Sequence, residues 1–539
     1  MDFFLSFFTA VLVSIALIPV LIRAAGTLNM MDEPGERKVH ALPIPRCGGL
    51  GIASGVIVAF FLFIPFSNNL FMSLIAGGAV IILFGVIDDQ INLSYKWKFL
   101  GQILAVVIVM AGGLTFEYLP FMGLEPAPLF LTLPLTLLFV IGATNAVNMS
   151  DGLDGLAAGV MLLTISAIAF LGLLGKGDEV VILSLAIAGG IVGFLWFNTH
   201  PAVVFMGDTG SQFIGFMAAF LSIYLTQDVF KTLNPLLPLL LLGLPVLDTI
   251  SVMLLRLRSG QSPFAPDKRH IHHRLLKRGF THAEAVGTIY LVQGVFLLAA
   301  FVFRYASDLT VAGVYLSICA SILLFLHLAE HYHWQLHGAQ ALVERRRGWP
   351  IWRSRRLFRF TKAYIEYSIT LFLLVFIGLL YWQLHTQYLQ IATVVGVSLI
   401  IYKFAPDVLQ ELLVRISIYF SAVLSFLLAD VNPGMRIISN WTFNLYLSLL
   451  IFIVSVAIRI TRKTDFRLTT QDVLVALFIL ATIVLVDIEY VGHVLFRLFC
   501  LAYALEYLLN RNFKLFPPLK LTAITAGVLI IVIVLPTLY

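Results

Sequence analysis

The stretch FMSLIAGGAVIILFGVIDDQINLSYKWKFLGQ, Phe71 to Gln102, decides how the chain is read. It runs without a charge from Phe71 to Ile87, turns on the adjacent acids Asp88 and Asp89, carries Lys96 and Lys98, and then becomes apolar again. A helix needs about 20 apolar residues to cross the hydrocarbon core of a bilayer. The stretch therefore reads as one membrane span ending on two carboxylates, a polar loop, and the start of a second span. Outward from it the same pattern repeats almost from end to end. The 539 residues are 60% hydrophobic and only 12% charged, with a mean hydropathy of +0.97. That composition places the chain among membrane proteins. Roughly 18 spans are expected in all. The first eleven fall near 3–22, 48–66, 70–87, 99–112, 129–147, 157–175, 180–197, 211–226, 235–255, 285–303 and 309–329. The expected fold is an all-α polytopic membrane protein, a multi-helix transmembrane bundle. The first span has Asp2 rather than a basic residue before it and no small-residue cleavage site after it, which predicts a retained span and not a signal peptide.

The formal net charge of +6 is not a nucleic-acid signature. Basic residues of membrane proteins gather in cytoplasmic loops. Loops after odd-numbered spans hold Arg23, Arg37, Lys38 and Arg46, then Lys96 and Lys98, then Arg256, Arg258, Lys268, Arg269, Arg274, Lys277 and Arg278. Loops after even-numbered spans hold only Lys176, Lys231 and Arg304, an asymmetry of roughly four to one. The odd side is therefore expected in the cytoplasm and the N-terminus outside. Every polar cluster with chemical potential falls on that odd side, so these clusters can converge on one site. Cys47, Cys319 and Cys500 are far apart and suggest small hydrophobes, not a disulfide framework or a metal site.

Asp88 and Asp89 end a helix, where carboxylates oppose the dipole by a few tenths to about 1 kcal/mol and sit close to hydrocarbon. Two acids so placed suggest a cation or a proton-transfer task as well as a solvated helix end, with Lys98 as a counter-charge and Gln102 one turn beyond. NAVNMSDGLDGL places Asn145, Asn148, Asp151 and Asp154 at three-residue intervals, a spacing that keeps helical neighbours on one surface. Amide and carboxylate oxygens suit a hard cation such as Mg²⁺. Capping accounts for one Asn and one Asp of the four. FMGDTGSQFIG puts Asp208 just ahead of a span, where it suits either a helix cap or a ligand. Phe205 suits packing or stacking on a base.

PFAPDKRHIHHRLLKRGF, Pro263 to Phe280, holds three histidines and five Lys/Arg. Zinc sites use neutral imidazoles with Cys or carboxylate partners. Here His270, His272 and His273 have only Asp267 as an acidic neighbour in sequence, among Lys268, Arg269, Arg274, Lys277 and Arg278. Such a loop favours phosphate oxygens, with Arg as a bidentate donor. Oxygen donors for Mg²⁺ on some loops and a cationic loop on the same face together describe a diphosphate substrate handled at a membrane surface.

RKVHALPIPRCGG, the DDQINLSYKWKFLGQ segment, NAVNMSDGLDGLAAG, FMGDTGSQFIG and PDKRHIHHRLLKRGF, in this order over residues 1–330, resemble the polyprenyl-phosphate N-acetylhexosamine-1-phosphate transferases. The HIHH form is similar to the undecaprenyl-phosphate N-acetylglucosamine-1-phosphate branch; the phospho-N-acetylmuramoyl-pentapeptide branch, with three consecutive histidines, is the alternative enzyme. The resemblance implies transfer of a sugar 1-phosphate, GlcNAc-1-phosphate by preference, from a UDP-N-acetylhexosamine to polyprenyl (undecaprenyl) phosphate, releasing UMP and initiating cell-envelope glycan synthesis. It implies Mg²⁺, with Mn²⁺ as a substitute, and a multi-pass protein of the cell (inner) membrane. A homodimer is compatible with it. By the same resemblance Asp208 and Asn148 would be metal ligands. Asp88, Asp89 and Lys98 would act at the lipid phosphate, and His270, His272 and His273 at the diphosphate. Arg37, Lys38, His40, Asn145, Asp151, Asp154, Phe205, Arg269 and Arg274 would contact substrate.

Residues 1–330 form the expected transferase domain, 331–364 a basic, aromatic cytoplasmic or interfacial linker, and 365–539 a C-terminal helical membrane extension of roughly seven more spans with no role readable from its residues. A transporter is the non-enzyme alternative. Transporters place ionisable groups near the bilayer midplane, whereas here they gather at one face.

Overall fold

In the computed structural model the described residues are 2–33, 43–65, 68–123, 125–262, 267 and 269–337. Arg37, Lys38, His40 and Lys268, the linker beyond residue 337 and the C-terminal region 365–539 lie outside them. Thirteen α-helices succeed one another among the described residues. They are α1 (Asp2–Ala24), α2 (Gly48–Phe63), α3 (Asn69–Ile91), α4 (Tyr95–Ala111), α5 (Leu129–Ser150), α6 (Leu156–Leu174), α7 (Asp178–Asn198), α8 (Gly207–Tyr224), α9 (Leu237–Leu241), α10 (Gly243–Arg258), α11 (Ile271–Lys277), α12 (His282–Val302) and α13 (Asp308–His331). The only strands described are β1 (Met31–Asp32) and β2 (Ile44–Pro45), an antiparallel pair. Among the described residues, eight helices are long and apolar enough to cross a membrane. The all-α polytopic membrane class holds.

Helix α8 is the hub. It packs against α3, α5, α2 and α6. Of its most apolar window, extended through the π-helical turn Leu225–Val229, 94% is buried, against 17% for α13 at the periphery. A helix that faces protein and not lipid need not be uniformly apolar. Accordingly α8 has the lowest mean hydropathy of the eight, 1.2, and buries Ser211, Gln212, Ser222, Thr226 and Gln227. Small residues permit the close approach: a Cβ on Gly49 of α2 would strike the backbone of Gly210, and one on Gly85 of α3 would strike Thr209.

The expected span 235–255 is not one helix. It breaks at Leu242 into α9 and α10. Pro245 lacks an N–H and cannot bond the carbonyl one turn back, that of Leu241. Two side chains from other helices accept the consequence. Leu241 O receives Gln293 Nε2 of α12 (2.9 Å) and Thr164 Oγ1 of α6 (3.1 Å), while Leu244 N–H donates to Gln293 Oε1 (3.2 Å). Unsatisfied backbone groups are not tolerated at membrane depth, which explains a fully buried glutamine there. Cys47 and Cys319 are buried and unbridged.

Candidate active site at the N-terminus of α8

Seven side chains, those of Asp88, Asp89, Lys98, Asn148, Asp208, Thr209 and Ser211, meet where α8 begins. Gly207 starts the helix with φ +70°, a conformation that favours glycine, and a Cβ there would meet the Asp89 carboxylate at 2.6 Å. Asp89 comes from the C-terminal turn of α3, is buried, and accepts three hydrogen bonds. These are from Asp208 N–H (2.8 Å), Thr209 N–H (3.0 Å) and the Thr209 hydroxyl (2.6 Å). It thus caps a helix other than its own. The dipole that opposes Asp89 at the end of α3 is answered by the start of α8, which favours a carboxylate. Of the two readings of Asp208, helix cap or ligand, the cap is taken by Asp89, which leaves the Asp208 side chain to other partners.

Asp88, beside it, faces a different group of partners. Its Oδ1 accepts the Leu93 N–H at 2.6 Å, and its Oδ2 lies 2.5 Å from Lys98 Nζ, a charge contact without the alignment of a hydrogen bond. Lys98 Nζ also donates to Asp208 Oδ2 at 2.5 Å. Asn148 of α5 donates to Asp208 Oδ1 and to the Ser211 hydroxyl, both at 2.8 Å. Asp88 and Asp89, adjacent in sequence, therefore face different partners, Asp88 the Lys98 ammonium and Asp89 the start of α8. Successive helical residues point about 100° apart, which is the physical reason.

The four residues of NAVNMSDGLDGL likewise divide. α5 ends at Ser150, so only Asn145 and Asn148 share a helical surface. Asn145 Nδ2 donates to Gln102 Oε1 (2.6 Å), and Gln102 Nε2 reaches Gln212 (3.0 Å), a polar network that ties α4, α5 and α8 together beneath the site. Asp151 is the C-cap of α5 and half-buried. Burial, and then the charges of Asp208, Asp154 and Asp89, push its carboxyl up to about 7. Asp154 turns away from Asp208 to His200, whose Nδ1 is 2.6 Å from its Oδ2, and to the Ala202 N–H at 3.2 Å. Burial raises this carboxyl, but those two contacts outweigh it and hold it below its ordinary value. The single oxygen cluster expected from the three-residue spacing is thus corrected to two sites. Phe205 is half-buried, and its backbone bridges Pro45 O and Gly48 N–H.

The histidine island closes over the same loops. A Cβ on Gly152 would collide with the His272 ring, so that glycine admits the imidazole. Burial, and then His273, pull His272 down to about 3, and it is neutral near pH 7. His270 is buried, with Nδ1 2.9 Å from Asp248 Oδ2, while Asp248 Oδ1 accepts the Ile271 N–H at 2.8 Å. The reading that only Asp267 stands beside these histidines is corrected by Asp248 of α10. The guanidiniums of the island are also engaged. Arg269 grips Asp267 at 2.7–2.9 Å and holds its carboxyl down to about 2, and Arg274 pairs with Glu330 at 2.8 Å. Asp248 was missed although it is a lone carboxylate in an apolar stretch, a signal of function in itself. Thr209 and His200 carried no signal that separates them from ordinary loop residues.

Asp208 and Asp88 each turn a carboxylate oxygen on the same Lys98 ammonium, and Asp88 Oδ2 is buried and lacks an aligned donor. That set fits a hard divalent cation, with Asp208 and Asp88 as the residues to hold it. Asn148, as placed, turns its amide N–H₂ and not its oxygen toward Asp208.

Comparison with known proteins adds the following. The family described as glycosyl transferase family 4 matches residues 71–226. A probable undecaprenyl-phosphate N-acetylglucosaminyl 1-phosphate transferase of Bacillus subtilis (strain 168) is 36% identical over 304 residues, covering 56% of this chain and 85% of that protein. An undecaprenyl-phosphate alpha-N-acetylglucosaminyl 1-phosphate transferase of Yersinia pestis is 31% identical over 328 residues, 58% of this chain and 87% of the other. A decaprenyl-phosphate N-acetylglucosaminephosphotransferase of Mycobacterium tuberculosis (strain ATCC 25618 / H37Rv) is 38% identical over 311 residues, 51% and 76% respectively.

Proposed function

The chain belongs to glycosyl transferase family 4, and from that premise we propose that it transfers N-acetylglucosamine 1-phosphate from UDP-N-acetylglucosamine to a polyprenyl phosphate. The observation that carries this reading is the bridge of Lys98 between Asp88 and Asp208 at the start of a buried helix. The relatives' names support N-acetylglucosamine over the muramoyl-pentapeptide alternative. The excess of Lys and Arg in odd-side loops supports a cytoplasmic site with the N-terminus outside.

An oxygen of the lipid phosphate attacks the phosphorus that bears the sugar, the bond to UMP breaks, and UMP leaves with the electron pair. One phosphoanhydride replaces another, so the exchange needs no ATP. The difficulty is crowding of negative charge between nucleophile and diphosphate. Mg²⁺ held by Asp208 and Asp88 would supply neutralisation of that charge. Asp88 would take a proton from a monoanionic acceptor phosphate. Lys98 holds both carboxylates in register and keeps one positive charge beside the reacting oxygens. His270, whose Nδ1 faces Asp248, and the neutral His272, whose Nε2 is buried without a partner, would present ring nitrogens from the α11 side.

The deciding experiment incubates the purified full chain with polyprenyl phosphate, Mg²⁺ and each of several UDP-sugars and measures UMP release. UMP formed only with UDP-N-acetylmuramoyl-pentapeptide, or none with any UDP-sugar, overturns the reading. Orientation is tested by Ser94→Cys and Gln261→Cys in intact cells. An impermeant thiol reagent added outside should label neither.

A further inference from the structure

Asp154, which the resemblance places at the substrate, stands with His200 and His282 in a second cluster to which the mechanism above gives no step. We propose that they are a binding site for a zinc-class transition cation, separate from the carboxylate site around Asp208. The three residues come from three segments: the α5–α6 loop, the α7–α8 loop and the first residue of α12. One donor atom from each lies within 4.8 Å of the others. His200 Nδ1 stands 2.6 Å from Asp154 Oδ2, and the His200 and His282 rings stack with centroids 4.1 Å apart and planes at 18°.

An ion pair between Asp154 and His200 explains two of the three residues. It leaves His282 unexplained: both of its ring nitrogens are buried and neither has a hydrogen-bond partner. A buried imidazole normally satisfies at least one nitrogen, and a cation would give this one a partner. The donor set of two imidazole nitrogens and one carboxylate oxygen suits zinc and its neighbours, whereas Mg²⁺ takes oxygen ligands.

The scaffold around the cluster is rigid. Ala202 N–H holds Asp154 Oδ2, Asn198 Oδ1 accepts the Gly155 N–H (2.8 Å), and the Tyr290 hydroxyl of α12 donates to Gly155 O (2.6 Å). The two loops and α12 are therefore already drawn together before any ion binds. The exposed edge of His200, whose side chain is 46% accessible, leaves a route of entry and a place for water as a fourth ligand. A cation here would staple the loop that carries Asp151 to the start of α12.

The test uses the tag-free full chain in detergent, loaded with zinc sulfate, freed of excess by gel filtration and analysed for metal. About one zinc per chain is expected for wild type, with a raised thermal midpoint in zinc. His200→Ala and His282→Ala should each weaken zinc at least about tenfold, the loss that changes around a metal's own ligands already produce. His272→Ala should retain the zinc. Cobalt in place of zinc should give visible absorption bands in wild type that both variants lack. If His282→Ala does not fold, monodisperse His282→Gln replaces it. No zinc and no cobalt bands in wild type overturns the site. So does zinc retained undiminished by both the His200 and His282 variants, or zinc lost with His272→Ala. The readouts are independent of transferase activity, so failure of either reading leaves the other standing.

Discussion

Lys98 Nζ lies 2.5 Å from a carboxylate oxygen of Asp88 and 2.5 Å from one of Asp208, so a single ammonium links the end of α3 to the start of α8. The same two carboxylates are the residues that would hold a divalent cation. Lys98→Met should therefore lower turnover by orders of magnitude and also lower the thermal midpoint, because two acids are left facing each other. Mg²⁺ should recover much of the stability and little of the activity. Thermal melts with and without Mg²⁺ check this, and a variant whose midpoint ignores Mg²⁺ would remove the cation from this position.

Asp89 caps the start of α8 through three accepted hydrogen bonds, a role that can be tested apart from any part in the chemistry. Asp89→Asn replaces one accepting oxygen by an amide N–H₂, which then faces one of the two backbone N–H donors, and should cost about 2 kcal/mol or more. Thr209→Val removes only the hydroxyl bond and should cost about 1 kcal/mol. Its UMP release should stay within a few-fold of wild type. Loss of activity in a Thr209→Val protein of near-normal stability would return Asp89 and Thr209 to the chemistry.

Asp151 titrates at about 7 in the folded chain and near 3.9 when unfolded. Between those values the folded state holds more protons. Its presence therefore costs stability increasingly as pH rises through that window and no further above it. Asp151→Asn should match wild type only near or below pH 4, and its advantage in thermal midpoint should grow from there to pH 7 and stay constant to pH 8. In wild type the proton also competes with a cation, so apparent Mg²⁺ affinity should climb from pH 6 to 7 and level off above. A pH-independent difference between the two proteins would show that Asp151 does not carry this proton.

In the histidine island the test separates charge from orientation. Arg274→Ala breaks the pair with Glu330, and Asp248→Asn frees His270 and the Ile271 N–H. Asp248→Asn should reduce kcat/KM about tenfold or more through a misplaced His270. If Arg274 is a structural tether, Arg274→Lys should restore what Arg274→Ala loses. Failure of lysine to restore it would favour direct bidentate contact with phosphate.

Gln293 is a structural glutamine. Gln293→Leu leaves the Leu244 N–H without its partner and should destabilise by about 1–2 kcal/mol, the range for buried polar contacts between membrane helices. Thermal melting in detergent reads it, and an unchanged midpoint would mean the break between α9 and α10 is satisfied in another way.

Composition and hydropathy were enough to establish a polytopic helical membrane protein, because the length and polarity of a span are imposed by the bilayer and are local properties. The order of polar clusters along alternate loops was enough to gather Asp88, Asn148, Asp151, Asp208 and the histidines at one end of the bundle. Which of them touch was decided only by tertiary packing. Adjacent Asp88 and Asp89 point to different partners because a helix turns between them, and evenly spaced Asn145, Asn148, Asp151 and Asp154 separate because α5 stops at Ser150. Asp248, Gln293 and His282 acquire meaning from residues far away in the chain. Local periodicity carries no record of such pairings: they are set by how closely α8 approaches its neighbours at Gly49 and Gly85, and by where a proline interrupts a helix.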